Sequence, residues 1–312
     1  MFRLGIVLVL LALAGVTWWW FSAGRKPSPA QIEQAYTALP APKGPMAVYH
    51  LGHSLVGRDM PAMLAQLAGA DHAYGSQLGW GTSLREHWEP ELPINGFETE
   101  NAHPRFRPAR DAIASGDYDA VVLTEMVEIR DAIKYHSSGK YFSLWADLAR
   151  LSNPNTRVYL YETWHRLDDP QGWLNRLDDD LNRHWEDQIL LVDLPQAGNR
   201  PARLIPAGQV MARFARIVTE QGGIGDLSGP EDLFARNDDG TLDTIHLNDK
   251  GAYLVALTHY AVLYHRSPVG LPHQLSRADG TRADAPSAEA AALMQQVVWD
   301  VVTSLPKTGV AR

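Results

Sequence analysis

The 312-residue chain contains no cysteine. That excludes disulfides, thiolate catalysis, cysteine-ligated zinc and a lipidated N-terminal cysteine. It does not fix the compartment, because an exported protein can lack disulfides. Clustered positive charge is missing as well. Twenty-eight Lys and Arg stand against 36 Asp and Glu, for a net charge of −8, and no Lys/Arg group would track a phosphate backbone, so no nucleic-acid partner is expected. The 12 histidines show no H-x-H or H-E-x-x-H spacing; neither a metal nor another cofactor is expected. Internal repeats and low-complexity tracts are also absent. What remains is the composition of a folded globular protein, 45% apolar and 21% charged, with enough length for one sizeable α/β domain.

The longest uncharged apolar run, Leu4 to Phe21, lies between Arg3 and the Arg25–Lys26 pair. As a helix it would span roughly 27 Å, close to a bilayer core. Trp18, Trp19 and Trp20 stand at its end, where an interfacial aromatic belt would lie. A cleaved signal peptide is the alternative, but Phe21 would occupy the −3 position of a Ser22-Ala23 site. Residues 1–24 are therefore expected to anchor the protein in a membrane, with the soluble part in the periplasm or outside the cell. Residues 25–46 hold five prolines around a short helical patch, Ala30 to Thr37, and are expected to form a stalk.

From residue 47 to 312, strand-like and helix-like segments alternate. Strands are expected at Ala47–Leu51, His72–Leu78, Ala120–Thr124, Arg157–Glu162 and Ile189–Asp193. Helices are expected at Asp59–Ala70, Arg107–Ser115, Tyr141–Leu151, Gly172–Trp185, Pro201–Glu220, Asn248–Tyr264 and Ser287–Ser304. Short apolar strands, each followed by an amphipathic helix, predict one α/β domain: a parallel sheet of about five strands with helices on both faces.

Two stretches carry chemistry. In "AVYHLGHSLVG", Ala47 to Gly57, a buried strand breaks at Gly52, and His53 and Ser54 follow at once. A serine there lies at the carboxyl edge of the sheet, where α/β proteins bind ligands. A serine hydroxyl is a weak nucleophile and needs a base, a group to orient that base, and donors for an oxyanion. "DTIHLNDKG", Asp243 to Gly251, supplies the first two. Asp243 and His246 are three residues apart, in a turn that lets the carboxylate reach the imidazole, with Asn248 or Asp249 capping the helix that follows.

"LGHS" and "DTIHLNDKG" resemble the first and last blocks of the SGNH hydrolases, or GDSL-type esterases, in which a strand ends in G-[DNH]-S and the chain closes on D-x-x-H-x-[NS]-x-x-G. The likeness runs in order from about Ala47 to Gly270. It implies a flavodoxin-like three-layer sandwich and ester chemistry in which Ser54 attacks, His246 takes its proton and Asp243 orients the imidazole. The family's second block, a glycine whose N–H serves the oxyanion together with that of Ser54, matches Gly81 in "QLGWGTSLREHW", with Gly79 as the alternative; a plain tight turn is the other reading of this pair.

The third block departs from the family. An Asn side chain usually donates there, whereas "AVVLTEMVEI" has none, and places Glu128, or Glu125 one turn earlier, at that position. A carboxylate donates only when protonated. Either a buried neutral Glu replaces the Asn, or only the Ser54 and Gly81 N–H groups serve, or Glu125 acts elsewhere in the site; Glu125, at the strand end, is expected to point into it. In "VYLYETWHRLDD", similar to E-T-W or Q-T-W stretches in one SGNH branch, Trp164 either walls the pocket or packs the sheet edge. His165 has no acid in register with it. His53 stands where the family has Asp and is read as shaping the turn. Trp80, Trp88 and Trp164 could stack against a sugar.

The sequence thus implies an ester hydrolase working through an acyl-enzyme on a small-molecule or glycan ester. The same triad would serve an O-acetyltransferase on a polysaccharide, and the missing Asn leaves a non-catalytic scaffold open. The sequence does not fix the oligomeric state.

Overall fold

A computed structural model describes residues 26–198 and 200–311. The Leu4–Phe21 run, the expected anchor, lies outside the described residues. Among the described residues no helix is long and apolar enough to cross a membrane.

Five parallel strands form the central sheet: β1 (Met46–His53), β2 (His72–Gly79), β3 (Ala120–Leu123), β4 (Arg157–Glu162) and β5 (Arg203–Pro206), in the order β2-β1-β3-β4-β5. Helices cover both faces, which is why the strands are apolar runs rather than alternating ones; β3 is buried at every position. Side chains still alternate between two cores. Val48, Val122, Tyr159, Tyr161 and Ile205 point to one, packed under the helices Asp59–Ala68, Ala207–Gln221, Asp249–Tyr264 and Ala288–Ser304. Tyr49, Leu51, Val121, Leu123, Leu160 and Leu204 point to the other, against Ala109–Ala114, Ser138–Ser152 and Leu181–Leu190. A separate antiparallel hairpin, β6 (Phe234–Arg236) with β7 (Leu242–Leu247), follows the sheet in the chain.

The strand order reverses between β1 and β3. In a doubly wound sheet that is the switch point, where the two connections leave on opposite sides and open a crevice at the carboxyl ends. Ser54 is the first residue beyond β1.

Two segments differ from the sequence reading. Ile189–Asp193 is helical, the end of a run formed by Trp173–Asp180, a π-helical Leu181–Leu190 and Leu191–Asp193. Its apolar residues Ile189, Leu190 and Leu191 bury against the second core as a helix face. The fifth strand is instead Arg203–Pro206, inside the expected Pro201–Glu220 helix, which begins only at Ala207. Pro206 is tolerated because β5 is an edge strand and owes no ladder N–H on its open side.

The proline-rich segment, expected as a stalk, lies against the domain. Its helix, Pro29–Ala35, is capped by Ser28, and Tyr36 is buried in the second core. Arg203 donates to the Ala35 carbonyl at 3.1 Å, Arg157 to the Pro40 carbonyl at 2.8 Å, and the Leu39 N–H to Gly309 O at 2.8 Å.

Candidate active site

The turn after β1 is shaped by one close approach and two buried imidazoles. A Cβ on Gly52 would overlap the Thr124 methyl group at the end of β3, so only glycine lets the two strand ends run this close. His53 is fully buried; its Nε2 lies 2.8 Å from the Glu125 carbonyl, and its Nδ1 accepts from the Leu55 N–H at 3.4 Å. Those partners require a neutral ring protonated on Nε2, and burial lowers its pKa to about 4. His87 is held the same way: Nε2 donates to the Gly52 carbonyl at 2.8 Å, Nδ1 pairs with the Gln77 amide at 2.9 Å, and burial again lowers the pKa to about 4. His53 therefore shapes the turn, and its imidazole faces away from base chemistry. His87 carried no local sequence signal; its partners come from β1 and β2.

Ser54 then meets the β6–β7 hairpin. Its Oγ lies 3.0 Å from His246 Nε2, and His246 Nδ1 lies 2.8 Å from Asp243 Oδ2. The expected turn is a strand, β7, whose start is folded by Asp243 itself: Oδ1 accepts the N–H groups of Ile245 at 2.9 Å and His246 at 3.0 Å. Burial opposes the Asp243 charge, but these donors and the imidazole outweigh it and hold the carboxyl below its usual value. An ionised Asp243 keeps the Nδ1 proton in place and leaves Nε2 free to accept from the serine. Asn248 caps the next helix, accepting from Lys250 and Gly251 N–H at 2.9 and 3.1 Å, while its amide donates to the Asp232 and Phe234 carbonyls at 2.8 and 3.1 Å. One Asn thus locks the hairpin to the helix.

Gly81 lies on the cleft at φ +56°, in the left-handed region, with open space around its Cα. Gly79 ends β2 behind it, where a Cβ would overlap Thr82 and Ile94; it does not line the cleft. Neither the Ser54 nor the Gly81 N–H donates to another described residue.

The β3 loop does not present a carboxylate to the site. Glu125 is wholly buried and turned away from the cleft: Oε1 accepts the N–H groups of Met126 at 2.8 Å and Leu84 at 3.2 Å. Burial, opposed by these bonds, raises its pKa to about 7. The expectation that it points into the site is corrected, because the start of the Leu84–Trp88 helix claims its oxygen. Glu128 caps the Ile129–His136 helix through the Arg130 N–H at 3.0 Å and takes both oxygens to Arg176 at 2.7 Å. The loop residue that does line the cleft is Val127, whose side chain has no donor.

Trp164 is buried to 1% exposure and donates its indole N–H to the Ile245 carbonyl at 2.8 Å, between Asp243 and His246. It therefore packs beneath β7, and its edge also walls a small cavity beside Ser54. His165 turns the other way, and an acid does stand near it, at the end of the next helix, Trp173–Asp180: Asp180 at 3.2 Å. Glu128, His165 and Asp180 bring ligand atoms within 4.8 Å of one another. Their carboxylates are already engaged by Arg176 and Arg130, so the cluster reads as an ion network with no free oxygen pair to offer a cation.

Two cavities meet at Ser54 and His246. One, of about 560 Å³, is lined by His53, Trp80, Gly81, Glu100, Val127, Arg166 and Ile245. The other, of about 140 Å³, runs between Leu55, Val56, Met60, Trp164, Leu247 and Val255, with Arg58, Asp59, Asn248 and Asp249 also on its walls.

No family model matches the sequence, and no curated protein matches it. Among solved structures, a DUF4886 family protein from Bacteroides uniformis aligns with a TM-score of 0.52 at 14% identity, over 82% of this chain and 94% of its own. What the two share is the fold. A candidate GDSL-like lipase from Parabacteroides merdae aligns at a TM-score of 0.42 and 11% identity, over 71% of this chain and 96% of its own. A gut microbial diltiazem-metabolizing enzyme aligns at 0.43 and 12%, over 73% of this chain and 49% of its own.

Proposed function

We propose that the protein is a serine ester hydrolase of the SGNH, or GDSL, type, acting through an acyl-enzyme on O-acyl esters of a glycan. The observation that carries this reading is the unbroken relay Ser54 Oγ–His246–Asp243, at 3.0 and 2.8 Å, opening onto a cleft at the switch point of the sheet. Ser54 Oγ bonds to the ester carbonyl carbon as its proton passes to His246 Nε2. The tetrahedral oxyanion takes hydrogen bonds from the Ser54 and Gly81 N–H groups, each worth about 3 kcal/mol in such a role. Collapse breaks the C–O bond to the alcohol, which leaves with the proton from His246. Water then repeats the cycle, releasing the carboxylic acid and restoring Ser54. Asp243 holds the imidazole in the accepting tautomer and stabilises the imidazolium. Within this reading the Leu4–Phe21 run tethers the domain to a membrane, on the periplasmic or outer side.

The test is covalent labelling. A fluorophosphonate should modify Ser54, and the adduct should be absent from Ser54→Ala. Failure to label, together with no turnover of p-nitrophenyl acetate, would favour a binding protein built on the same fold.

A further inference from the structure

The two cavities that share Ser54 and His246 differ fourfold in size, and the larger carries an exposed aromatic ring, Trp80, on its wall. Ligand pockets for drug-sized molecules run to roughly 300–1,000 Å³. The larger cleft, about 560 Å³, falls in that range. The smaller, about 140 Å³, is close to the roughly 150 Å³ that holds a benzene-sized group. Its walls mix apolar side chains (Leu55, Val56, Met60, Trp164) with the polar Arg58, Asp59 and Asn248, so size rather than polarity limits what enters it.

The larger cleft carries an aromatic platform. Of the three tryptophans that the sequence offers for stacking, Trp88 packs edge-on against Trp145 at 4.8 Å and lies under the Arg110 guanidinium, and Trp164 is buried. Trp80 alone of these is exposed, at 51%, on the wall of the Ser54 cleft. It is also fixed. The indole N–H donates to Glu100 at 2.7 Å, the backbone N–H donates to Asn95 O at 2.8 Å, and the ring lies so close over Gly96 that a Cβ there would overlap three ring atoms. A large apolar ring held in solvent by a hydrogen bond and a glycine seat is pre-organised for a flat, partly apolar partner. Glu100 and Arg166, on the same cleft, set hydrogen-bonding groups around it. A ring with C–H bonds on its face and hydroxyls at its edge matches both features.

On the ester-hydrolase reading, we infer that the two cavities divide the substrate: a short acyl group enters the smaller one, and a pyranose ring of the alcohol stacks on Trp80 in the larger. The substrate class is then a short-chain acyl ester of a sugar.

The experiment compares an acetylated hexoside with methyl acetate, whose alcohol is too small to reach Trp80. The ratio of kcat/KM for sugar ester over methyl ester should fall about tenfold in Trp80→Ala, mainly through KM, and by less in Trp80→Phe, which keeps a ring and serves if the alanine variant does not fold. In a p-nitrophenyl series, turnover should drop at least tenfold from butyryl to octanoyl. An unchanged ratio in both variants, or octanoyl turnover equal to butyryl, overturns the assignment. Fluorophosphonate labelling of Ser54 in the same samples separates that result from failure of the ester-hydrolase reading itself, in which no label would appear.

Discussion

The two sides of the Ser54 cleft are built in opposite ways. The Asp243–His246 side is local: Asp243 folds the start of β7 with its own side chain, binds the imidazole three residues on, and hands the chain to an Asn248-capped helix. The Ser54 side is assembled from distant chain. Ser54 depends on Gly52 against Thr124, on His53 bonded to Glu125, and on His87 bonded to Gly52. A short contiguous motif can specify the first arrangement. The second exists only once three strands are in register. Damage to the first should therefore cost activity with little stability, and damage to the second should cost stability along with activity.

The largest effects belong to the relay. Ser54→Ala and His246→Ala should each lower kcat by at least ~10³-fold, since such groups act as a unit, with thermal unfolding close to that of the parent. Asp243→Asn should cost less than His246→Ala, on the order of 10²-fold or more, because it favours the wrong tautomer but leaves the ring in place. Steady-state kinetics with a short acyl ester checks both; near-parent turnover in either alanine variant would remove the relay from the chemistry.

On the other side of the cleft, Gly52→Ala should destabilise by about 1–3 kcal/mol, the usual range for overpacking, and turnover should fall with it, because Thr124 and the Ser54 turn are pushed apart. Chemical denaturation alongside kinetics separates the two losses. Trp164→Phe tests the bridge between the sides. It keeps an aromatic ring but loses the N–H to Ile245, a hydrogen bond worth about 1 kcal/mol, and should loosen β7 enough to lower kcat more than it raises KM.

The smallest effect is a slope. Burial raises Glu125 to about 7 and Glu162 to about 8, well above an unfolded carboxyl near 4.3. Stability from keeping them protonated is complete below that value and drains away as pH rises through 7 to 8. His53 and His87, lowered to about 4, act in the other direction: their contribution is complete above the ordinary imidazole value and is lost as pH falls towards 4. Glu125→Gln should flatten the alkaline decline in unfolding free energy between pH 5 and 8, by on the order of 1–3 kcal/mol. The kcat profile of the same variant should match that of the parent, since Glu125 is turned away from the cleft. A decline in kcat at alkaline pH that Glu125→Gln removes would return that carboxyl to the oxyanion.

This contrast also explains what could be read from the chain. The G-H-S turn and the D-x-x-H pair announce themselves because their hydrogen bonds close within a few residues. Glu125 was misplaced because its direction is set by Leu84, on a helix that follows a different strand. β5 was hidden for a similar reason. Arg203–Pro206 is a four-residue edge strand running straight into a helix, too short to stand out beside it, whereas the longer apolar run Ile189–Asp193 imitates a strand while serving as a helix face.

The docked proline-rich segment sets the direction from which the molecule can be approached. Residues 35–40 are tied to Arg203 and Arg157, the first residues of β5 and β4, so the incoming chain crosses the amino edge of the sheet. β1 then carries it over eight residues, roughly 26 Å at strand rise, before Ser54 emerges at the far edge. The described chain thus enters the domain at the edge of the sheet opposite its cleft, with the whole length of β1 between that entry and Ser54.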